Sequence, residues 1–466
     1  MSSRLRALGS ACPYVFLVLS LCSGLFMAWS VPPFMNADEL AHVHRADLLA
    51  LGRVIGERVG TPQARVAGGM VDIPFEEAAK VFEHLQFHPD EQADAEDFAA
   101  ARQARFDGRI KQTAFPGSAT YPPVFYLPAS ATFALGKALR WPILDTLHLA
   151  RSMNVLACAL LGFLALRTAG RARLPLFALL LMPMSVSLFA AVSCDGLLLA
   201  TTAMGVALVS RAIFEARPMT RAEAIWAAVC FAFVAATKPP YTVFALTLFA
   251  APGVTGRLRA LTAAISLGLP TAWTWWMTVA VRTPARLPGT NVDPQAQAAH
   301  LAAHPEAILA LAQRTLAEQW DFYARSFVGV LGWLDTPLPQ EIYPLALAIL
   351  VLAFLAAAAG RTGRAWARVR MLVPFQLVLA GGGVFLSMYL LWTDVGLGVV
   401  NGVQGRYLLP LAIFAALLVE GDGRPLLGAG RVGGAARLLA AWVVLVFPVV
   451  SLAVAQHALL LRYYLD

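Results

Sequence analysis

Long apolar segments separated by short polar stretches recur from one end of the chain to the other. Many approach or exceed the roughly 18 residues that a helix needs to cross a bilayer. Four of them are Tyr14–Val31, Leu147–Leu166, Leu174–Val192 and Leu438–Leu459. The first follows two arginines but lacks a small-residue cleavage site, so we interpret it as an uncleaved helix rather than a signal peptide. The pattern predicts an all-α polytopic membrane protein.

Composition supports this class. Of 466 residues, 59% are hydrophobic and 14% are charged, against about 25% charged in soluble domains. The net charge of +8 does not indicate nucleic-acid binding, because the arginines form short clusters between apolar segments, as cytoplasmic loops do. The five cysteines are odd in number and lack metal-ligand spacing, which argues against a disulfide framework.

The arginine clusters predict the topology. If all are cytoplasmic, an even number of spans separates each neighbouring pair, and one span follows the last. This gives about eleven spans with a cytoplasmic N-terminus and an external Asp466. The six clusters are Arg4/Arg6, Arg167/Arg171/Arg173, Arg211/Arg217/Arg221, Arg257/Arg259, Arg361/Arg364/Arg368/Arg370 and Arg424/Arg431/Arg437.

Two long segments then lie on the outer face of one membrane domain that spans residues 1–466. They are residues 32–145 and 282–341. Within the first, Val124–Leu139 is short and follows several prolines. A crossing there would make the count odd, so we expect an interfacial or re-entrant helix.

Local signals predict further helices in the first outer segment. Asn36 is a candidate N-cap, Glu39 its capping-box partner and Gly52 a terminator, which predicts a helix from Ala37 to about Leu51. The stretch from Pro74 to Ile110 is rich in charged residues and is also expected to be helical.

The most unusual cluster is Asp38-Glu39 with His42, a few residues outside the first span. Acidic residues at a helix N-terminus are favoured by the helix dipole alone. The dipole also keeps these carboxylates ionised, which suits a general base or a metal ligand. Asp38 and His42 are four residues apart and would be the ligands of a divalent metal such as Mg²⁺ or Mn²⁺, a role that the sequence leaves open. Otherwise, His42 would donate a hydrogen bond to substrate.

Other polar residues fall at the predicted outer ends of spans. Arg151, Lys238 and Arg406 together could hold an anionic, lipid-linked substrate. Alternatively, Arg151 snorkels to headgroups and Lys238 is a simple anchor at a turn between helices. Asp195 is either a helix N-cap or part of the site. The remaining candidate substrate contacts are Tyr121, Asn154, Tyr241 and Tyr407.

The order of these motifs resembles an uncharacterised family of bacterial membrane proteins that is similar to GT-C glycosyltransferases, which include protein mannosyltransferases and the aminoarabinose transferase of lipid A. The motifs are Pro32-Pro33, Asp38-Glu39, His42, Tyr121-Pro122-Pro123, Tyr126-Leu127-Pro128, Arg151, Asn154, Ser193, Asp195, Lys238-Pro239-Pro240-Tyr241, Gly329, Gly332-Trp333-Leu334-Asp335 and Gly405-Arg406-Tyr407.

The resemblance implies a GT-C-like fold in the bacterial inner membrane with its active site facing the periplasm. It also implies transfer of a sugar from a polyprenyl-phosphate donor to a glycan, lipid or protein acceptor. Asp38 or Glu39 would be the catalytic base, and Arg151 would match the arginine that begins the second span of those enzymes. The alternatives are a flippase or transporter of a lipid-linked glycan and a non-catalytic scaffold.

Overall fold

The computed structural model describes residues 2–61, 64–215, 217–283, 291–358, 364–419, 427 and 430–465. Arg361, Arg424 and Asp466, which entered the predicted topology, lie outside these residues. Most of the described chain is helical.

The helices of the first half are α1 (Ser2–Ser30), α2 (Glu39–Ala50), α3 (Pro74–Val81), α4 (Ala95–Ala101), α5 (Leu127–Leu139), α6 (Ile143–Thr168), α7 (Arg173–Leu180), α8 (Pro183–Phe189), α9 (Asp195–Phe214) and α10 (Arg221–Thr237). Those of the second half are α11 (Thr247–Ala250), α12 (Gly256–Ala263), α13 (Leu269–Ala280), α14 (Pro294–Ala303), α15 (Ala307–Val328), α16 (Ile342–Ala357), α17 (Arg364–Trp392), α18 (Leu409–Ala415) and α19 (Gly430–Tyr463). The strands are β1 (Glu57–Thr61), β2 (Ala64–Asp72), β3 (Ile110–Ala114), β4 (Val330–Leu331) and β5 (Thr336–Pro337).

Five helices of the described chain are long and apolar enough to cross a membrane. They contribute Leu8–Ser30, Ile143–Thr168, Asp195–Phe214, Arg368–Trp392 and Val432–Tyr463. The pair α7 and α8, bent by 79°, makes a sixth if it forms one span. A membrane protein is therefore confirmed, whereas the count of eleven spans stays a prediction. Three of the remaining predicted crossings fall on the shorter apolar helices Pro239–Ala250, Ile342–Ala357 and Gly405–Leu418.

Helix α9 is the best-buried of these candidate spans, because 89% of its spanning window is buried inside the protein. It packs against α6 and α10. Only 22% of the corresponding window of α17 is buried, so α17 lies at the periphery. The first residue of α9 is Asp195, which puts a carboxylate at the end of a central helix.

The segment between α1 and α6 contains a three-stranded antiparallel sheet in the order β1-β2-β3. The prediction of an all-α protein was wrong in this respect. The expected helix from Pro74 to Ile110 is also wrong as one element. Proline at the first position begins α3, a capping box between Asp94 and Asp97 begins α4, and Ile110 begins β3.

Helix α2 begins at Glu39, two residues later than predicted. Asp38 takes the N-cap position in a left-handed conformation, with φ of 64°, and its side chain makes no capping hydrogen bond. Asn36, the predicted N-cap, instead donates from Nδ2 to Glu39 Oε2 at 3.3 Å. Gly52, with φ of 78°, follows the end of the helix as predicted.

Helix α5 is the element for which we expected an interfacial or re-entrant position. Its 13 residues extend about 20 Å at 1.5 Å per residue, against a hydrocarbon core of about 30 Å. Lys137 near its end is paired with Asp47 of α2 and Asp72 of β2. Lys137 thereby attaches α5 to the predicted outer segment that precedes this helix in the chain. The attachment favours an interfacial or re-entrant position of α5 over a crossing.

Candidate functional site

Two ion pairs join distant parts of the chain at one end of the helical bundle. Arg406 Nη2 lies 2.6 Å from Asp38 Oδ2, and Lys238 Nζ lies 2.6 Å from Asp195 Oδ1. The start of α2 therefore meets the turn preceding α18, and the start of α9 meets the end of α10. His42 lies close enough to interact electrostatically with all four charged side chains, so these four residues, all predicted as site residues, form one cluster.

Asp38 is the accessible member of the cluster. Its side chain is 51% exposed, and it occupies a left-handed backbone conformation that costs energy in residues other than glycine. Such strained residues concentrate at functional sites, where the surrounding structure fixes them. The carboxylate is held at the surface of the cluster, where a ligand can reach it.

Glu39, its neighbour, is fully buried. Its carboxylate accepts hydrogen bonds from Arg151 Nε at 2.8 Å and from Arg151 Nη2 at 2.5 Å. It also accepts one from the backbone N–H of Val192 at 2.9 Å. The two adjacent acids, predicted together as catalytic residues, thus have different surroundings.

Arg151 and Asn154 lie beneath the cluster. Arg151 is fully buried and donates further hydrogen bonds to the carbonyl groups of Ala28, Val31 and Pro32. Asn154 Nδ2 donates to the carbonyl oxygen of Ala191 at 2.8 Å. Asn154 Oδ1 is buried without a hydrogen-bond partner within the described residues. Both residues were predicted as substrate contacts, and that role stays a prediction.

Arg406 and Lys238 flank one aromatic ring. The Arg406 guanidinium carbon is 5.4 Å, and the Lys238 Nζ 4.6 Å, from the ring centroid of Tyr407. The Tyr241 hydroxyl donates to the backbone oxygen of Tyr407 at 2.6 Å. Arg406 Nε is buried and has no hydrogen-bond partner within the described part of the chain, so this cation has a donor that no protein group accepts.

A small crevice with a volume of about 20 Å³ lies beside Arg406. Ser193 and Asn36 contribute polar side chains to its lining. Its walls include Met184 and Leu188 of α8, together with Leu331 and Leu334 around the β4–β5 turn. The volume of this crevice is close to that needed by one water molecule and is too small for a ligand chain.

His42 and two tyrosines form the floor beside the ion pairs. His42 Nδ1 lies 2.6 Å from the Tyr126 hydroxyl, and its ring stacks with Tyr121 at 6.1 Å. Burial lowers the pKa of His42, against the opposing effect of the Asp195 and Asp38 carboxylates, so the ring is neutral near pH 7. Tyr126 was not among the predicted site residues, although the proline-rich motif that contains it was noted.

The β4–β5 turn holds the segment that carries Asp38. Ala37 N–H donates to the carbonyl oxygen of Gly332 at 3.2 Å, and Trp333 Nε1 donates to that of Phe34 at 3.1 Å. Gly332 has φ of 60°, which glycine adopts without strain. Asp335 in this turn pairs with Arg462 of α19 at 3.0 Å, an ion pair that sequence reasoning missed.

Metal binding was left open by the sequence. Within the described ranges, three or more His, Cys, Asp or Glu side chains are nowhere grouped so as to hold a metal ion. Asp38 and His42 lie close enough for their charges to interact, but among the residues that the structure describes no third side chain of these types completes a ligand set with them.

The fold and the ion-pair cluster define a polytopic helical membrane protein with a polar site at the ends of its helices. Residues 21–415 match the model of a family described as "Predicted membrane protein (DUF2142)", and the chain belongs to this family. No curated protein and no solved structure matched the chain. The similarity to GT-C glycosyltransferases therefore stays a prediction.

Proposed function

We propose that this protein is a glycosyltransferase of the bacterial inner membrane. It transfers a sugar from a polyprenyl-phosphate donor to an envelope glycan, lipid or protein at the outer face. The observation that carries the proposal is the pairing of an exposed carboxylate, Asp38, with a buried cation, Arg406, where the ends of several helices meet.

The donor would bind through its phosphate. Arg406, with its unpaired Nε, and Lys238 would hold this group. When the bond between the anomeric carbon and the phosphate oxygen breaks, negative charge grows on the phosphate. Fixed cations stabilise that charge more in the transition state than in the ground state.

The acceptor would be activated by Asp38. An exposed carboxylate can take the proton of an acceptor hydroxyl or amine as the new glycosidic bond forms. A single displacement then inverts the anomeric carbon. Glu39 has every oxygen bound to Arg151, Val192 or Asn36, so we assign it to positioning the start of α2 rather than to proton transfer.

Transport of a lipid-linked glycan is the alternative function. Transporters bind substrate near the bilayer midplane between structural repeats. Here the ion pairs lie at the first residue of α9 and just after the last residue of α10. A site at helix ends supports transfer over transport.

The test is a deletion of the gene, complemented with variants, and analysis of envelope glycans by mass spectrometry. Asp38→Asn keeps the size of the side chain but removes the base. We expect it to lose a sugar that the wild-type protein restores, with at least a 100-fold fall in transfer, while the protein remains folded in membranes.

Two variants accompany it. Asp107→Asn changes an exposed acid of the same segment that pairs with Arg109, and it should restore the sugar fully. Glu39→Gln leaves Arg151 buried without a counter-charge, so it should reduce the amount of folded protein. Full restoration by Asp38→Asn would refute the catalytic assignment and favour transport or a scaffold role.

A further inference from the structure

Helix α15, in the second predicted outer loop, exposes a stripe of large apolar side chains. They are Ile308 (50% exposed), Leu309 (68%), Leu316 (47%) and Trp320 (63%). Their positions in the chain increase by one, seven and four, which keeps them on one side of a helix. We call these four residues the α15 stripe. Contiguous exposed apolar surface of this kind marks an interaction site.

The opposite side of the same helix is charged. Arg314 pairs with Glu318 at 2.8 Å, and Arg325 pairs with Asp321 at 2.8 Å. Both pairs are exposed and have the four-residue spacing of a solvated helix surface. A helix that is charged on one side and carries Leu and Trp on the other is typical of helices that lie in the membrane–water boundary.

The position of α15 relative to the site is fixed by its packed side. Thr315 Oγ1 accepts a hydrogen bond from the N–H of Val400 at 3.0 Å. Ser326 Oγ accepts one from the N–H of Gly405 at 2.8 Å, next to Arg406. Through the β4–β5 turn, α15 also leads into the apolar helix α16. It therefore lies at the same end of the bundle as the ion pairs.

We propose that α15 is an interfacial helix whose stripe is immersed in the outer leaflet of the bilayer. The occupant is lipid rather than a second copy of the chain, because four side chains fall well short of the roughly 800 Å² that each partner buries in a stable dimer. Trp320 suits the headgroup level, where indole rings concentrate. This placement does not depend on the proposed transfer reaction.

The placement has a consequence for the site. Ser326 of α15 accepts a hydrogen bond from Gly405, the residue that precedes Arg406. When α15 lies at the membrane–water boundary, Arg406 is therefore held at the depth of the lipid headgroups. The cluster of ion pairs then opens beside lipid headgroups rather than into bulk water above them. A substrate carried by a lipid reaches it without leaving the leaflet.

The experiment uses nitroxide labels on the full chain in phospholipid vesicles, in a background without native cysteines. Leu309→Cys and Leu316→Cys report on the stripe, and Glu318→Cys and Asp321→Cys are matched controls on the charged side. Electron paramagnetic resonance measures collisions with oxygen, which concentrates in lipid, and with a water-soluble nickel chelate. We expect oxygen to dominate at the first two positions and nickel at the last two.

Equal nickel access at all four positions would overturn the proposal, and so would spin–spin coupling between copies at the stripe. If the cysteine-free chain fails to fold, bromine-labelled lipids provide a second measurement in the native background. Shallow bromines should quench wild-type fluorescence more than that of Trp320→Phe. Equal quenching in the two proteins would also overturn it.

Discussion

At the scale of single residues, Asp38 and Glu39 are adjacent and chemically alike, but the backbone conformation of Asp38 gives the two acids different surroundings. Asp38 has φ of 64°, and the helix begins only with the next residue. This turn directs Asp38 toward Arg406 and Glu39 into the bundle toward Arg151. Both acids were predicted as catalytic residues, because nothing in the sequence indicates which of two adjacent acidic side chains is buried.

His44 of α2 makes stability depend on pH. Its ring packs against Phe115, and its buried Nε2 has no hydrogen-bond partner within the described part of the chain. Burial lowers the pKa of His44 to about 4, from about 6.5 in an unfolded chain. The unfolded state therefore binds the proton first, and folding stability should fall as pH decreases from 6.5 toward 4, by about 3 kcal/mol in total.

The free energy of unfolding is measured by denaturation at pH 7.5 and 4.5, for the detergent-solubilised wild-type protein and for His44→Gln. Asp47 changes the pH dependence of this free energy in the opposite direction. Burial raises the pKa of its carboxyl to about 6, with Lys137 opposing and Asp72 adding to the effect, so this group contributes relative stability as pH decreases. The difference between wild type and His44→Gln isolates the histidine, and an identical pH dependence in both would contradict the assignment.

At the scale of elements, helices were better predicted than strands. Apolar segments of adequate length gave the long helices, because a spanning helix needs only continuous hydrophobicity. The sheet was missed because β1 and β3 are short and largely exposed. Gly68 and Gly69 also interrupt the alternation of β2. Gly68 is required there, since a Cβ at this position would meet the backbone of Thr113 on the neighbouring strand.

The packing of α15 on the turn that carries Arg406 depends on Gly405. A Cβ added there would meet the backbone nitrogen of Phe327 and the backbone oxygen of Tyr323, and neither can rotate away. We expect Gly405→Ala to lower stability by about 3 kcal/mol or more and to displace Arg406. Thermal unfolding in detergent would measure the loss.

Gly382→Ala is the matched control, because a Cβ at Gly382 of α17 meets no atom within 4 Å. It should leave stability unchanged or raise it slightly, since alanine favours helix. A Gly405→Ala protein as stable as this control would show that the contact can relax.

At the scale of the whole molecule, the site forms because ends of separate helices meet. Asp38 and Arg406 are 368 residues apart, and no local pattern joins them. From the sequence, only the topology inferred from the arginine clusters places both residues on the outer face. It could not give the pairing of Asp38 with Arg406 or of Asp195 with Lys238, since pairing depends on how helices pack around α9.

The predicted orientation can be tested with single cysteines and a membrane-impermeant maleimide. Asp107→Cys lies between α1 and α6, and Glu215→Cys lies just after the end of α9. With the site end outside, intact spheroplasts should label the first position only, and lysis should expose the second. Labelling of Glu215→Cys alone before lysis would invert the topology, and the wild-type protein controls for native cysteines.

The pairing of Asp38 with Arg406 also sets a condition on any anion that approaches. The carboxylate is attached to the same chain, so it competes for the arginine at an effective concentration on the order of millimolar or above. Small free anions at lower concentration are therefore outcompeted by a group that never diffuses away. An anion that brings binding energy from a second attachment, such as an apolar tail, can displace the carboxylate. The resting ion pair thereby disfavours small free anions relative to anions that have a second attachment.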